Sequence, residues 1–243
     1  MLTVTILQFT TLAMKGGAYV YYFENYVSKN SLSDFISPII EFLSSIGINF
    51  FGSDPVSAGF GLFNAGGIIF MIIGIGLSKM LADKYGKRNV FGVFLFISTL
   101  FILVFYVLSP DSINLIFGAQ IFHGFFYGIT IPLLWAMIAD VADYSEWKNN
   151  RRATAIIFSA MMVGLKLGLS IGGALVASIL GSYGYVPNSV GEQTESAILG
   201  TKMLVSIFPS IPFLVAAALL FFYVIDKKME DKIEQDLLKK RKS

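Results

Sequence analysis

Several apolar segments of this 243-residue chain reach the roughly 20 residues that an α-helix needs to cross the hydrocarbon core of a bilayer. Only 14% of the residues are charged and 55% are hydrophobic, whereas about a quarter of the residues in a typical soluble domain are charged. The mean hydropathy is +0.71. The sequence therefore predicts an all-α integral membrane protein.

We predict six transmembrane helices, at about residues 1–26, 55–80, 89–108, 112–140, 153–181 and 202–225. They form one bundle over residues 1–225, and the charged tail at 226–243 is expected to be a short solvated helix or disordered. The segment 27–54 is long and partly apolar, and a short interfacial helix is expected there. Met1 opens directly into the first span without the basic region of a signal peptide, and this abrupt start fits one half of a larger membrane protein.

The basic residues are distributed asymmetrically between the two sides of the predicted bundle. The segments 79–89 and 142–152 and the tail after Ile225 hold fourteen Lys and Arg residues, whereas the alternate segments hold only Lys29. Because cytoplasmic segments carry the excess of Lys and Arg, we expect both termini to be cytoplasmic. The expected location is the inner membrane of a bacterium.

One lysine lies near the middle of the fifth predicted span. Lys166 stands in "SAMMVGLKLGLSIGGAL", where an ammonium costs at least about 2.5–3.5 kcal/mol on insertion scales. Gly164, Gly168 and Gly172 recur at a spacing of four and predict a face for close helix packing. Lys166 is on the opposite side of the helix, so we expect it to face a polar partner or a water-filled cavity, although snorkelling to the interface is the alternative.

The first span carries a cation and three phenols on one helical face. Lys15, Tyr19, Tyr22 and Tyr26 follow one another at spacings of four, three and four. A phenol offers an apolar ring and a hydroxyl, which suits the faces and edges of sugars, so these side chains are candidates for a substrate cavity. For Tyr22 and Tyr26 the alternative is an aromatic belt at the membrane interface.

A polar stripe also runs along the fourth span and implies a side that faces the bundle or water. Its members are Gln120, His123, Tyr127, Ile131 and Trp135. His123 is a candidate proton relay because its unperturbed pKa is about 6.5, but a packed, hydrogen-bonded histidine is the alternative. Pro132, with Gly124 and Gly128, predicts a kink in this helix.

The segment "LSKMLADKYGKRN" joins the second and third spans. Asp83 followed by Gly86, Lys87 and Arg88 predicts charge pairing across the cytoplasmic side, and the alternative is ordinary positive-inside charge. The chain has no cysteine and a single histidine, which excludes thiolate and histidine-cluster metal sites. We find no phosphate-binding lysine motif or nucleophile elbow, so no enzyme, resident metal, cofactor or nucleic-acid partner is expected.

Three stretches carry a family resemblance. The block "PLLWAMIADVADYSEWKNNRRAT", then "FSAMMVGLKLGLSIGGAL" and "GYVPN", strongly resembles the glycoside–pentoside–hexuronide:cation symporters. These melibiose permease-like proteins belong to the major facilitator superfamily, and "ADKYGKR" resembles that superfamily's cytoplasmic loop motif. The resemblance covers about residues 1–225 and corresponds to helices seven to twelve, the carboxy-terminal half of the fold.

The resemblance implies transport of a sugar or glycoside coupled to Na⁺ or H⁺ by alternating access. Lys166 matches the family lysine of helix eleven near the central cavity, and Trp135 lies close to an aromatic position that borders the sugar in relatives. The residues that match the family's cytoplasmic charge network are Asp140, Asp143, Tyr144, Glu146, Arg151 and Arg152. The acidic cation ligands belong to the amino-terminal half, which would be the partner of this chain.

Two hypotheses of different classes follow. The first is half of a sugar:cation symporter, whose substrate binds between this bundle and a second one. The second is a non-transporting membrane protein, a remnant or a regulatory binding protein built on the same bundle.

Overall fold

A computed structural model describes residues 1–48, 54–187 and 193–242, and every described regular element is a helix. The helices are α1 Leu2–Asn25, α2 Lys29–Ser45, α3 Pro55–Tyr85, α4 Lys87–Val104, α5 Ile113–Asn149, α6 Thr154–Ser182, α7 Glu195–Val205, α8 Ile207–Leu219 and α9 Lys227–Lys242. A 3₁₀ turn, Leu220–Phe222, extends α8. The all-α prediction is confirmed for the described residues.

Five helical segments are long and apolar enough to cross a membrane: α3, α4, α5, α6 and the unit of α7, α8 and the 3₁₀ turn over Glu195–Phe222. The segment predicted as the first span is the 24-residue helix α1, which falls outside this set. Threonines, Gln8 and Lys15 lower its hydropathy. Five of the six predicted spans are therefore long and apolar enough to cross a membrane, and the membrane crossing of the first, α1, stays a prediction.

The last predicted span, 202–225, begins too late. The helix starts at Glu195, where the Thr194 side chain accepts a hydrogen bond from the Ala197 amide at 3.2 Å. It is interrupted at Ser206, whose φ of −126° and ψ of −79° depart from helical values. Pro209 explains the break, because its ring has no N–H to donate to the preceding turn and clashes with that turn's carbonyl.

The connection between α3 and α4 is shorter than the sequence predicts. α3 continues to Tyr85 and α4 begins at Lys87, so Gly86 alone joins them with a φ of 83°. This left-handed conformation favours glycine. A Cβ at Gly86 would also lie 3.1 Å from the Cβ of Lys227 in the carboxy-terminal helix.

The predicted loop after residue 140 is largely helical. α5 continues through Pro132 to Asn149, and Asn150 closes it with a left-handed φ of 55°. A helix of 37 residues is about 55 Å long, well beyond the roughly 30 Å hydrocarbon core of a bilayer. The charges near residues 140–149 therefore lie on a helical extension of α5.

Two outlying segments are also helical. The predicted helix in the 27–54 segment is α2, which buries Leu32 and Ile36. The tail is α9, and Ile233 and Leu237 are buried against the extension of α5. Over the residues that the structure describes, the tail is helical, so the alternative of a disordered tail is wrong. The apolar side of α9 is packed rather than solvated.

Glycines bring two pairs of helices into backbone contact. On α6, a Cβ at Gly168 would lie 2.5 Å from the carbonyl oxygen of Ile6 in α1, and a Cβ at Gly172 would lie 2.5 Å from that of Thr10. On α5, a Cβ at Gly128 would lie 2.2 Å from the carbonyl oxygen of Met71 in α3. The predicted packing face of the fifth span is confirmed at Gly164, Gly168 and Gly172, which are buried.

We expect the Gly168→Ala substitution to destabilise the bundle. The added methyl group meets the Ile6 carbonyl and must push α6 away from α1, at a cost on the order of 1–3 kcal/mol. Gly173→Ala is the matched control, because a Cβ there meets nothing within 4 Å. Thermal unfolding in detergent measures both. Equal melting temperatures for the two variants would contradict the close α1–α6 contact.

Candidate functional site

Polar side chains of α1 and α5 meet inside the bundle. The Tyr19 hydroxyl donates to Oε1 of Gln120 at 3.1 Å, and the Gln8 amide donates to the Tyr127 hydroxyl at 3.2 Å. We call this set the inner polar cluster; its members are Gln8, Lys15, Tyr19, Gln120, His123 and Tyr127, all of which are buried. The structure therefore brings together the two polar faces that the sequence predicts on separate helices.

Lys15 is the basic centre of the cluster. Its ammonium lies 5.3 Å from the centre of the Tyr19 ring, within the range of a cation–π contact. Within the described ranges, no carboxylate lies at ion-pair distance from Lys15. The structure thus places this side chain, which is 6% exposed, against the Tyr19 ring without a described acidic partner.

His123 is held by a backbone acceptor. Its Nδ1 lies 3.0 Å from the carbonyl oxygen of Ser98 in α4, and a carbonyl only accepts, so Nδ1 carries the donated proton. In the neutral ring this leaves the lone pair on Nε2. His123 also stacks on Tyr127 with the ring centres 5.8 Å apart. This geometry is that of a packed, hydrogen-bonded histidine. A role of His123 in proton relay stays a prediction.

Two buried oxygens beside the cluster lack donors. Among the described residues, neither Oε1 of Gln8 nor Oγ1 of Thr5 has a hydrogen-bond partner, although both side chains are 1% exposed. Buried acceptors of this kind are normally satisfied by protein or by water. The pair marks the end of the inner polar cluster that is nearer to Met1 along α1.

The tyrosines of α1 are packed among other aromatic rings. Tyr19 makes an edge contact with Phe63 at 4.8 Å, and Tyr22 lies 5.0 Å from Tyr26 and 5.9 Å from Phe105. Tyr22 is fully buried. These phenols therefore line the interior of this bundle, and their contact with a sugar stays a prediction.

Trp135 is half-buried against an apolar core that contains Leu133, Met137 and Phe213, together with Tyr127 of the inner polar cluster. Its place beside a bound sugar stays a prediction.

Lys166 is exposed on α6, on the side opposite the buried glycines. Ser159 and Ser170 are exposed as well. In this bundle α6 is buried along one stripe only, so a polar edge remains open at the middle of a membrane-spanning helix. This is the arrangement that the spacing of Lys166 and the glycines predicts.

The second polar site lies where the amino-terminal end of α4 meets the carboxy-terminal part of α5. Nζ of Lys87 is 2.7 and 2.9 Å from the two carboxylate oxygens of Asp140 and 2.8 Å from Glu230 of α9. Arg152 lies 3.1 Å from Asp143 and 3.6 Å from Glu146. The Lys87 pairs connect α4, α5 and α9, and Arg152 pairs with α5, among residues for which the family resemblance implies a charge network.

Further contacts hold α9 against this end of the bundle. The Trp147 indole donates to Asp236 at 3.0 Å, and Lys240 donates to Asn150 at 2.6 Å. The Tyr223 hydroxyl donates to the Met137 carbonyl at 3.1 Å. Burial raises the pKa of Tyr223 well above its ordinary value, and the nearby Asp140 and Glu230 charges add to the effect, so the phenol stays a donor at physiological pH.

The other predicted members of the network make hydrogen bonds, most of them to or through backbone carbonyls. Lys227 donates to the carbonyl oxygen of Asp83, and Arg88 donates to the carbonyl oxygen of Tyr223 at 3.0 Å. The carbonyl oxygen of Arg151 accepts from Ser145, and the Tyr144 hydroxyl accepts from Lys148 at 3.2 Å. Over the described chain, the Asp83 carboxylate forms no ion pair with a basic side chain.

Sequence reasoning missed two central residues of this network. The sequence places Lys87 among the basic residues that follow Asp83 and indicates no pairing with Asp140, and it places Glu230 in the charged tail. The acid–base spacing of the α9 sequence gave no sign of which residue points at the bundle. Ile233 and Leu237 are four residues apart, and this spacing indicates that one face of α9 packs against the bundle.

The family described as MFS/sugar transport protein matches residues 41–227, more than half of the chain. This chain belongs to that family. The resemblance to melibiose permease-like symporters is thereby confirmed, and the chain is a multi-pass membrane protein related to transporters, which are not enzymes.

Three curated relatives illustrate the similarity. An uncharacterized 29.9 kDa protein of Pseudescherichia vulneris is 35% identical over 158 residues, which are 65% of this chain and 57% of that protein. The putative glycoside/cation symporter YagG of Escherichia coli (strain K12) is 30% identical over 68% of this chain and 35% of its own length. The isoprimeverose transporter of Lactiplantibacillus pentosus is 29% identical over 81% of this chain and 41% of its own length. The chain thus spans about a third to three fifths of these relatives.

We expect Lys87→Met to weaken the attachment of α9 to the bundle. Asp140 and Glu230 then lose their shared cation, and because these side chains are partly exposed the cost is on the order of 1–2 kcal/mol. Hydrogen exchange of the α9 amides measures the release. Lys84→Met is the control, since Lys84 is exposed and its ammonium contacts the ring of Tyr85. Unchanged protection of α9 in Lys87→Met would show that the bridge does not hold it.

We expect Lys15→Met to raise the melting temperature in detergent. The substitution removes a buried ammonium that has no carboxylate partner among the described residues and keeps an unbranched chain, a gain on the order of 1–3 kcal/mol. Lys29→Met, at the exposed start of α2, is the control and should change little. A lower melting temperature for Lys15→Met than for the control would mean that the ammonium is stabilised where it lies.

Proposed function

We propose that this chain is one half of a secondary active transporter for a sugar or glycoside. It would supply the six-helix carboxy-terminal bundle, with α1 as its first span, and pair with an amino-terminal six-helix half outside this sequence. The observation that carries the proposal is Lys166, exposed at the middle of α6. Its ammonium cannot face lipid without a large cost, so this edge of α6 must meet water or a second protein surface.

The partner surface can be described by its chemistry. An ammonium in the membrane pairs best with carboxylates, and acidic residues at mid-membrane depth are also the groups that bind Na⁺ or H⁺. A partner half with such carboxylates would share them between Lys166 and the coupling cation. Binding of the cation would then weaken the contact of Lys166 and couple the two sites.

The comparisons support a paired arrangement. This chain matches 35% of the length of a putative glycoside/cation symporter and 41% of that of an isoprimeverose transporter. Transporters of this kind consist of two bundles with the substrate between them near the midplane. A sugar and a Na⁺ or H⁺ ion are therefore the proposed substrates.

The cytoplasmic network supplies a contact that can open and close. We propose that the bridge from Lys87 to Asp140 and Glu230, with the Arg152 pairs, stabilises one state of the cycle by closing the end of α5. Rocking of the bundles would exchange these pairs for others at little net cost, because partly exposed ion pairs are weak. The fourteen basic residues on this side orient it, and both termini, toward the cytoplasm of a bacterium.

The test is sugar uptake by cells that express this chain together with an amino-terminal six-helix half, taken from the upstream reading frame if that frame encodes six spans. We expect cation-dependent uptake only when both halves are present. Lys166→Gln should lower coupled uptake about ten-fold or more, equivalent to about 1.4 kcal/mol. Lys79→Gln, an exposed lysine at the cytoplasmic end of α3, is the control and should retain uptake.

Two results would contradict the proposal. Uptake by this chain alone would show that it needs no partner half. Coupled uptake that is unchanged in Lys166→Gln would remove the role proposed for the open edge of α6. Stable expression of the chain with no uptake under any pairing would favour the non-transporting remnant.

A further inference from the structure

We propose that the groove between α4 and α8 binds one anionic phospholipid. The groove has a volume of about 580 Å³ and lies on the outer side of the bundle. Arg88 and Asn89 line its basic end, and Gly92, Phe96, Leu214 and Phe221 line the rest. It therefore offers one charged end and a long apolar wall, which matches a lipid phosphate followed by an acyl chain.

The apolar part of the groove is open because small residues of α4 and α8 line it and leave space between the two helices. Gly92 faces the turn after α8, where an added Cβ would lie 3.8 Å from Cδ1 of Leu220 and leave the groove largely open. Ala217 and Ala218 form the facing wall. Phe221 is 86% exposed at the rim, so the groove opens to the surface that a membrane would cover.

The charged end depends on Arg88 rather than on its neighbour. Lys87 is already paired with Asp140 and Glu230. Arg88 donates one N–H to the Tyr223 carbonyl and, in the described part of the chain, forms no ion pair with a carboxylate. A guanidinium has five N–H donors, so Arg88 retains donors for phosphate oxygens.

The position along the helix favours a lipid over a soluble anion. Arg88 is the second residue of α4, which has the length and composition of a membrane-spanning helix. Its guanidinium is therefore at the depth of the lipid headgroups, and the apolar groove runs from it toward the hydrocarbon core. A negatively charged headgroup complements this arginine, whereas a zwitterionic one brings a second cation close to it.

Native mass spectrometry of the detergent-purified full chain tests the proposal with two lipids of the same acyl chains, dioleoyl phosphatidylglycerol and dioleoyl phosphatidylcholine. We expect wild type to bind phosphatidylglycerol more tightly. Arg88→Gln should weaken phosphatidylglycerol binding about five-fold, equivalent to about 1 kcal/mol for one basic side chain near an anionic surface, and leave phosphatidylcholine binding unchanged. Gly92→Leu fills the groove and should weaken the binding of both lipids.

Matched controls separate the groove from the rest of the surface. Lys79→Gln removes a cation outside the groove, and Gly76→Leu adds a side chain at a glycine of α3 whose Cβ would meet nothing within 4 Å. Both should bind lipid as wild type does. Thermal unfolding of each variant confirms that it is folded.

Three outcomes would overturn the proposal. Equal binding of the two lipids by wild type would remove the anionic specificity. Phosphatidylglycerol binding that is unaffected by Arg88→Gln and by Gly92→Leu would place the lipid elsewhere. Displacement of the lipid by millimolar sn-glycerol 3-phosphate would mean that Arg88 binds a soluble anion and that the groove does not hold an acyl chain.

Discussion

The close backbone contact of α6 with α1, and of α3 with α5, is the constraint on which the rest of this structure depends. Each pair meets where a Cβ would come within 2.6 Å of a carbonyl oxygen, as at Gly168 and Gly128. In a membrane the hydrophobic effect does not drive helices together, so shape and van der Waals contact must do so. The glycines supply that contact and determine which face of each helix is turned outward.

The polar features follow from this packing. Because the glycines of α6 face α1, Lys166 points away from the bundle. The core formed by α1, α4 and α5 then encloses Lys15 and His123 with Gln120 and Tyr127. One lysine is thus left at an open edge and the other is enclosed. Under the proposed function, Lys166 is therefore the lysine that would contact a partner half, whereas Lys15 is enclosed in the bundle.

The end of the bundle that carries α9 combines packed apolar contacts with exchangeable ion pairs. The extension of α5 and the packed face of α9 are held by apolar contacts around Ile233 and Leu237. The ion pairs of Lys87 and Arg152 are partly exposed and can exchange partners at low cost. A stable platform that carries weak charge pairs is well suited to a movement between two states, since the platform keeps its shape while the pairs change.

The amino-acid sequence by itself determined the membrane class, the positions of most spans and the glycine face of α6, because hydropathy and residue spacing are local properties. The family came from the resemblance of its motifs. The resemblance also implied charge pairing among residues that include Asp140, Asp143, Glu146 and Arg152. Only the tertiary structure decided that Lys87 pairs with Asp140 and Glu230, that Lys15 shares an interior site with Gln120, and that Asp83 contributes a carbonyl. These contacts join residues far apart in the chain, and periodicity states which face of a helix is polar but not which other helix that face meets.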